Sequence, residues 1–256
     1  MASEVEEQAA EAVAAFGQAY RRRLSSDGAE GISDEDLQAE VRSAFRFAST
    51  RGRKPVAVRA FNPTREHDGY EPLGSVVETN SDDWPFLVDS VSAALERRGE
   101  RIVRVVHPIM GVTRDADGRI VEVRSARHAT RRESIMHFDL GRRLDEDELA
   151  EVGADVQAAL LAVRASVTDF GPMTQRVESM IGVARRAGAR YDPDEVREAV
   201  DFLAWLLRGN FVLLGAREYE IRDGMVRLRP GSGLGILADE DSSSRGNESN
   251  SATAAL

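Results

Sequence analysis

Apolar residues recur at helical spacing from the start of the chain: Val5, Ala9, Val13, Phe16 and Tyr20 share one face of a helix expected over 4–24. Ser3 and Glu6 have the spacing of a capping box at its start. A second helix is expected over 34–50, with Ser33 ahead of Asp34 and Glu35. Leu37, Val41, Phe45 and Phe47 supply its apolar contacts, and Gly52 and Pro55 close it. From Val56 and Val58 the period shortens towards two, and 63–72 is a polar loop. Leu73 to Thr79 reads as a strand, since Val76 and Val77 are β-branched. Asn80, Ser81, Asp82 and Asp83 then form a polar turn before Trp84 and Pro85, with Asp82 or Asp83 as N-cap and Pro85 in the first helical turn. Leu87, Val88, Val91, Ala94 and Leu95 make the buried stripe of that helix, and Gly99 ends it.

Ile102 to Thr113 reads as one long strand, Asp117-Gly118 as a hairpin turn, Arg119 to Ser125 as the return, and Ser134 to Leu140 as a further strand. Helices are expected over 145–168, opening on an Asp145/Glu148 capping box, over 172–187, ended by Gly188, and over 193–208, capped by Asp192 and stopped by Gly209. Phe211 to Ile221 and Met225 to Arg229 flank a second hairpin turn, Asp223-Gly224. The order strand, helix, strand, strand, strand, helix is the α+β, ferredoxin-like pattern: an antiparallel sheet with helices on one face. The chain therefore divides into N-terminal helices (1–54), a β-α-β domain (55–144), a helical segment (145–210), a β-hairpin that starts a second β-rich module (211–237), and a disordered polar tail (238–256).

Composition narrows the function. The chain has 256 residues, 42% hydrophobic and 30% charged, enough for a sizeable core. A formal charge of −10 gives no general attraction for phosphates, so no nucleic-acid partner is expected. The run Arg124, Arg127, Arg131 and Arg132 reads as a solvated strand end. The absence of cysteine removes disulfides, thiolate metal sites and cysteine nucleophiles. Neither a secretory signal nor an apolar run of membrane-spanning length is present in the sequence, which fits a cytoplasmic protein. The only lysine is Lys54, so chemistry needing several lysines has no home here.

Candidate chemistry is sparse. His67, His107, His128 and His137 lack metal-ligand spacing and read as structural. Asp115-Ala116-Asp117-Gly118 lacks the later ligands of a calcium loop. Gly231-Ser232-Gly233-Leu234-Gly235 is followed by polar tail instead of a helix, so it is not a dinucleotide loop. Ser90, Ser125, Ser134 and Ser166 have no nucleophile context, and Trp84 and Trp205 read as core. No catalytic, metal or cofactor-binding residue is therefore assigned.

The segments GSVVETNSDDWPFLVDSVSAALERRG (74–99) and RVVHPIMGVTRDADGRI (104–120) resemble the N-terminal region of large bacterial NAD-specific glutamate dehydrogenases. RRESIMHFDL (131–140), AVDFLAWLLRGNFVLLGAREYEI (199–221) and GSGLGIL (231–237) are similar to its later segments, so the resemblance covers about residues 56 to 237. It implies an ACT-like regulatory and assembly segment of a cytoplasmic enzyme that converts L-glutamate and NAD to 2-oxoglutarate, ammonia and NADH. NAD would belong to that enzyme's catalytic domain, so this chain is expected to be silent alone. The alternative is a stand-alone ACT-like amino-acid sensor. The resemblance also implies an amino-acid effector at Asn80, Ser81, Asp82, Asp83 and Trp84, with Asp82 or Asp83 holding its amine, and self-association through sheet edges, with 102–113 as the expected edge. Such modules usually carry glycine after the proline of the turn; here Phe86 follows Pro85 and fills that space.

Overall fold

The computed structural model describes residues 2–24, 32–188 and 190–238. The expected polar tail, apart from Ala238, lies outside the described residues, as do the side chains of the Ser3/Glu6 box. The chain divides into two units, 1–161 and 162–256.

The first unit is built on a sheet in the order β1 (Val56–Phe61), β2 (Val76–Asp82), β6 (Arg132–Leu140), β4 (Ile109–Arg114), β5 (Ile120–Ser125), with β3 (Ile102–Val106) also on β6. Every pairing is antiparallel. Since β2 and β4 both run against β6, they are parallel to each other and joined by helix α3 (Leu87–Arg97), with β6 inserted between them. This is the split β-α-β of the ferredoxin-like pattern, as expected.

Strand alternation sorts the side chains. One face carries Val77 of β2 and Met136, Phe138 and Leu140 of β6, all buried. Helix α4 (Glu146–Thr168) covers this face, with Val152, Val156 and Leu160 buried. It approaches β1 so closely that a methyl added at Gly153 would lie 3.9 Å from Ala60 Cβ. The opposite face meets α1 (Ala2–Arg21) and α2 (Asp34–Thr50). There Ala12, Phe16 and Tyr20 of α1 and Val41, Ala44 and Ala48 of α2 pack with Val106, Met110, Val112, Ile120, Val123 and Ile135.

Local signals explain the element ends. Ser33 Oγ accepts from Asp36 N–H at 3.0 Å and starts α2. Asp145 and Glu148 exchange hydrogen bonds of 2.9 and 2.8 Å, the expected capping box. Gly99, at φ 79°, ends α3: its N–H reaches Glu96 O and that of Glu100 reaches Leu95 O. In the β4–β5 turn Gly118 adopts φ 83°.

Four expectations change in this unit. Strand β2 runs on to Asp82 because the residues expected as a turn, Asn80 and Ser81, pair with β6 opposite Ile135 and Ser134. Neither Asp82 nor Asp83 caps α3; Phe86 occupies the cap position at φ 66° with no side-chain cap. The long strand over 102–113 breaks at His107-Pro108, where proline has no N–H for the ladder. It is also not a sheet edge along β4, which lies between β6 and β5, whereas β3 pairs with β6 alone among the described residues and keeps the edge position expected for it.

In the second unit, α5 (Phe170–Ala187) and α6 (Pro193–Trp205) form a helical hairpin. Asp192 Oδ1 accepts from Asp194 N–H at 2.7 Å. Helix α6 stops earlier than expected, in a wide turn over Leu206–Asn210 where Gly209 reaches φ 80°. The expected strand 211–221 is reduced to β7 (Gly215–Ala216), paired with β10 (Leu234–Gly235), and β8 (Tyr219–Arg222), paired with β9 (Met225–Leu228). Asp223 and Gly224 both have positive φ, as a tight two-residue hairpin requires. Trp205, expected in the core, is 42% exposed and stacks on Phe202.

Replacing Asp145 by Ala removes one half of the capping box and is expected to cost about 1 kcal/mol in urea unfolding. An unchanged midpoint would show that the box carries no stability.

Candidate functional site

The charged residues gather beneath α1 and α2, inside the first unit. His137, in the middle of β6, is fully buried. Its Nδ1 lies 3.1 Å from Glu78 Oε1 on β2, and its Nε2 lies 3.1 Å from Asp139 Oδ1. A carboxylate can only accept, so both ring nitrogens carry protons and the ring is an imidazolium. Burial alone pushes this ring towards neutrality. The carboxylates of Glu40 and Asp139, with the hydrogen bonds that the ring donates to Asp139 and Glu78, overcome that and push it up to about 10.

The cluster extends over several elements. Arg104 of β3 bonds Asp139 and donates to Glu40 Oε2 of α2 at 2.6 Å. Tyr20 of α1 donates to Glu40 Oε1 at 2.7 Å. Arg59 of β1 donates to Glu78 Oε2 from Nε and Nη2 and lies 3.8 Å from the centre of the Phe61 ring. Burial acts to raise the Glu78 and Asp139 carboxyls. For Glu78, His137 and Arg59 reverse this, and for Asp139, His137 and Arg104 do, so both are held below the ordinary carboxylate range. Glu40, Glu78 and Asp139 are balanced by Arg59, Arg104 and an imidazolium at His137, and by nothing less.

A second cluster ties the end of α2 to the sheet. Arg114 forks onto Glu133 with bonds of 2.9 and 2.7 Å, donates to Gly118 O at 2.7 Å, and reaches Ala48 O of α2 and Asn80 Oδ1, each at 3.0 Å. Placing a guanidinium on a carbonyl of the last turn also suits the helix dipole. Arg51, the C-cap of α2, donates to Asp82 Oδ1 at 2.7 Å and to Lys54 O at 2.9 Å. Its Nη1 sits 3.3 Å from Glu133 Oε2, without hydrogen-bond geometry. Burial works to raise Glu133, but Arg114 and Arg51 hold it low.

The five expected effector residues separate into two groups. Asn80 and Ser81 are fully buried: Asn80 Nδ2 donates to Glu133 Oε2 at 3.0 Å, and Ser81 Oγ donates to Asp82 O at 2.9 Å. Asp82, Asp83 and Trp84 are partly exposed. Asp82 is lowered, burial opposing and Arg51 and Arg131 prevailing. Asp83 N–H donates to Arg132 O at 3.0 Å, and its carboxylate lies 3.3 Å from Arg132 Nε. Phe86 is half-exposed and in the left-handed region, a strained conformation for a bulky side chain.

Of the histidines, His107 Nε2 meets the buried Ser134 Oγ at 2.8 Å, and burial, aided by Arg23, holds its pKa low against the pull of Asp83. Among the described residues no group of three His, Asp or Glu side chains is placed to hold a metal ion, and no helix is long and apolar enough to cross a membrane. The sequence reading missed both clusters. Their signal was present as polar residues sharing one strand face, Glu78, Asn80 and Asp82 on β2 and Glu133, His137 and Asp139 on β6, the last three interrupted by Ile135.

Comparison with known proteins agrees with this architecture. The family described as "Glutamate dehydrogenase, ACT1 domain" matches residues 16–156. An NAD-specific glutamate dehydrogenase of Halomonas elongata is 33% identical over 76% of this chain and 12% of its own length. Those of Pseudomonas aeruginosa and Mycobacterium tuberculosis are 29% and 30% identical over 82% and 73% of this chain. The chain spans 11% to 13% of the length of these relatives.

Replacing His137 by Gln leaves three carboxylates against two guanidiniums and is expected to destabilise the first unit by about 3–5 kcal/mol in chemical denaturation. The pH profile has two limbs. Glu78, Glu133 and Asp139 are lowered in the fold, so their contribution is complete above about pH 4.5 and is lost as pH falls. His137 is raised to about 10, so its contribution is complete below about pH 6.5 and is lost as pH rises to and through 10. Stability is expected to peak between these limits. H137Q is expected to flatten the alkaline limb and, because His137 helps to hold Glu78 and Asp139 low, to weaken the acid limb as well; an unchanged alkaline limb would assign it to another group.

Proposed function

We propose that this chain, which belongs to the glutamate dehydrogenase ACT1-domain family, is a regulatory and assembly segment of an NAD-dependent glutamate dehydrogenase and is catalytically silent by itself. The parent reaction is the conversion of L-glutamate and NAD to 2-oxoglutarate, ammonia and NADH in the cytoplasm. One observation carries this reading: the charged side chains of the sheet are spent on each other. The donors and acceptors of His137, Glu78, Asp139, Glu133 and Arg114 face protein partners within a sealed face, so they hold helices in place and do not present groups to a substrate.

The effector contact of this reading is the exposed part of the expected set. Strand β2 ends at Asp82 and leads through Asp83, Trp84 and Pro85 into α3. In this reading Asp83 takes the amino group in exchange for its contact with Arg132, and the first turn of α3 supplies backbone N–H groups for a carboxylate. Asn80 and Ser81 act behind it, fixing the strand end through Glu133 and Asp82 O. Phe86 narrows the approach, which favours a small amino acid.

The purified chain is expected to give no NADH from L-glutamate and NAD; turnover would overturn the silent-segment reading. Calorimetry with a panel of amino acids is expected to give binding that Asp83→Asn abolishes and Phe86→Gly broadens to larger ligands. Silence across the panel with both wild type and F86G would remove the effector and leave assembly as the role.

A further inference from the structure

The second unit turns apolar residues outward in an ordered way. Helix α6 buries no residue at all. On one face of it, at spacings of three and four, stand Glu195, Glu198, Phe202 and Trp205, all exposed, with Phe202 57% and Trp205 42% accessible. The adjacent α5 presents Met180, Val183 and Arg186 at spacings of three, with Met180 54% and Val183 58% accessible. Its buried residues, Met173 and Val177, lie nearer its start. Each stripe is therefore apolar towards the base of the hairpin and charged towards its tip. The charges are opposite: Arg185, Arg186 and Arg190 end α5 and its turn, whereas Glu195 and Glu198 stand at the start of α6, where Asp194 is already paired with Arg197. Among the described residues, no ion pair joins Arg185 or Arg186 to Glu195 or Glu198, although the two sets stand at the same end of one hairpin.

We infer that the α5–α6 hairpin is a self-association surface that packs against the same hairpin of a second copy to form a four-helix bundle. The pattern selects that partner. A two-fold axis along the hairpin sets α5 of one copy against α6 of the other, running antiparallel, tip beside tip. Met180 and Val183 then meet Phe202 and Trp205, while Arg185 and Arg186 meet Glu195 and Glu198. A two-fold axis across the hairpin would set tip against base, leaving the charges opposite Phe202 and Trp205. An uncharged apolar partner would leave both charged ends unanswered. The burial of two aromatic and two aliphatic side chains per copy supplies affinity, and the charged tips fix register. This surface rests on the assembly half of the reading above.

The test is sedimentation equilibrium of the full chain across a concentration series. Wild type is expected to run as a dimer that dissociates on dilution. Val183→Glu with Phe202→Glu is expected to give a monomer whose circular dichroism and unfolding midpoint match those of the wild-type monomer. The exposed pair Arg185→Glu and Arg186→Glu is expected to raise the dissociation constant at least about tenfold, and adding Glu195→Arg and Glu198→Arg is expected to restore it. A wild-type monomer at every concentration overturns the inference, as does a dimer indifferent to V183E with F202E, or charge reversal without rescue. A chain that is monomeric yet silent towards glutamate and NAD would remove this surface and leave the silent-segment reading standing; a dimer with turnover would do the reverse.

Discussion

A charge withdrawn from water needs an opposite charge at contact distance, and the first unit depends on meeting that demand at His137. Removing one ion from solvent costs several kcal/mol even after relaxation. Beneath α1 and α2 three carboxylates, Glu40, Glu78 and Asp139, are withdrawn together, with only Arg59 and Arg104 as permanent cations. The imidazolium supplies the missing charge and divides its two protons between two strands, β2 through Glu78 and β6 through Asp139. The members come from α1, α2, β1, β2, β3 and β6. A one-residue slip of any strand turns its member to the other face and strands the partners it left. The cluster therefore specifies one register for six elements at once.

That specificity is separate from the source of the binding energy. Ion pairs of this kind return little beyond their own desolvation. The attachment of α1 and α2 rests on the apolar half of the same face, where Phe16, Tyr20, Val106, Met110 and Ile135 are all at most 1% exposed. Tyr20 belongs to both halves. Its ring packs among the apolar residues and edge-on to His137, while its hydroxyl meets Glu40. A helix pair held by hydrophobic burial alone has many near-equivalent placements; Tyr20–Glu40–Arg104 at one end and Ala48–Arg114–Glu133 at the other reduce these to one.

The fold was readable where one residue carries the signal and its partner is close in sequence. Ser33 and Asp36, Asp145 and Glu148, Asp192 and Asp194, Gly99, and the turns at Asp117-Gly118 and Asp223-Gly224 act over four residues or fewer. The reading failed where the deciding partner is remote. Asn80-Ser81-Asp82 has the composition of a turn, but Glu133, Ser134 and Arg51 lie 31 to 54 positions away and turn it into a strand end. His137 read as one more polar residue among Met136 and Phe138, since its counter-charges are distributed from Glu40 to Asp139. Pro108 stands inside the strand expected over 102–113 and breaks it, since proline has no N–H to give the ladder.

The two units answer the same physical demand in opposite ways, and this bears on where the chain meets other molecules. In the first, the charged residues of the sheet beneath α1 and α2 are paired with one another, so that face offers a partner nothing without first losing α1 and α2 and exposing these ionised groups. In the second, α6 packs on α5 without burying any residue fully, and the β8–β9 hairpin exposes Tyr219, Ile221, Met225, Val226 and Leu228 at 40% or more. Apolar surface that the unit's own chain leaves open is surface on which association gains most. The proposed assembly surface therefore lies on the α5–α6 hairpin, while the sheet holds one register and fixes the strand end that leads into the turn from Asp83 to Phe86. The left-handed Phe86 is tolerable there because both flanks are fixed, by the β2–β6 ladder before it and the buried Leu87, Val91 and Leu95 of α3 after it.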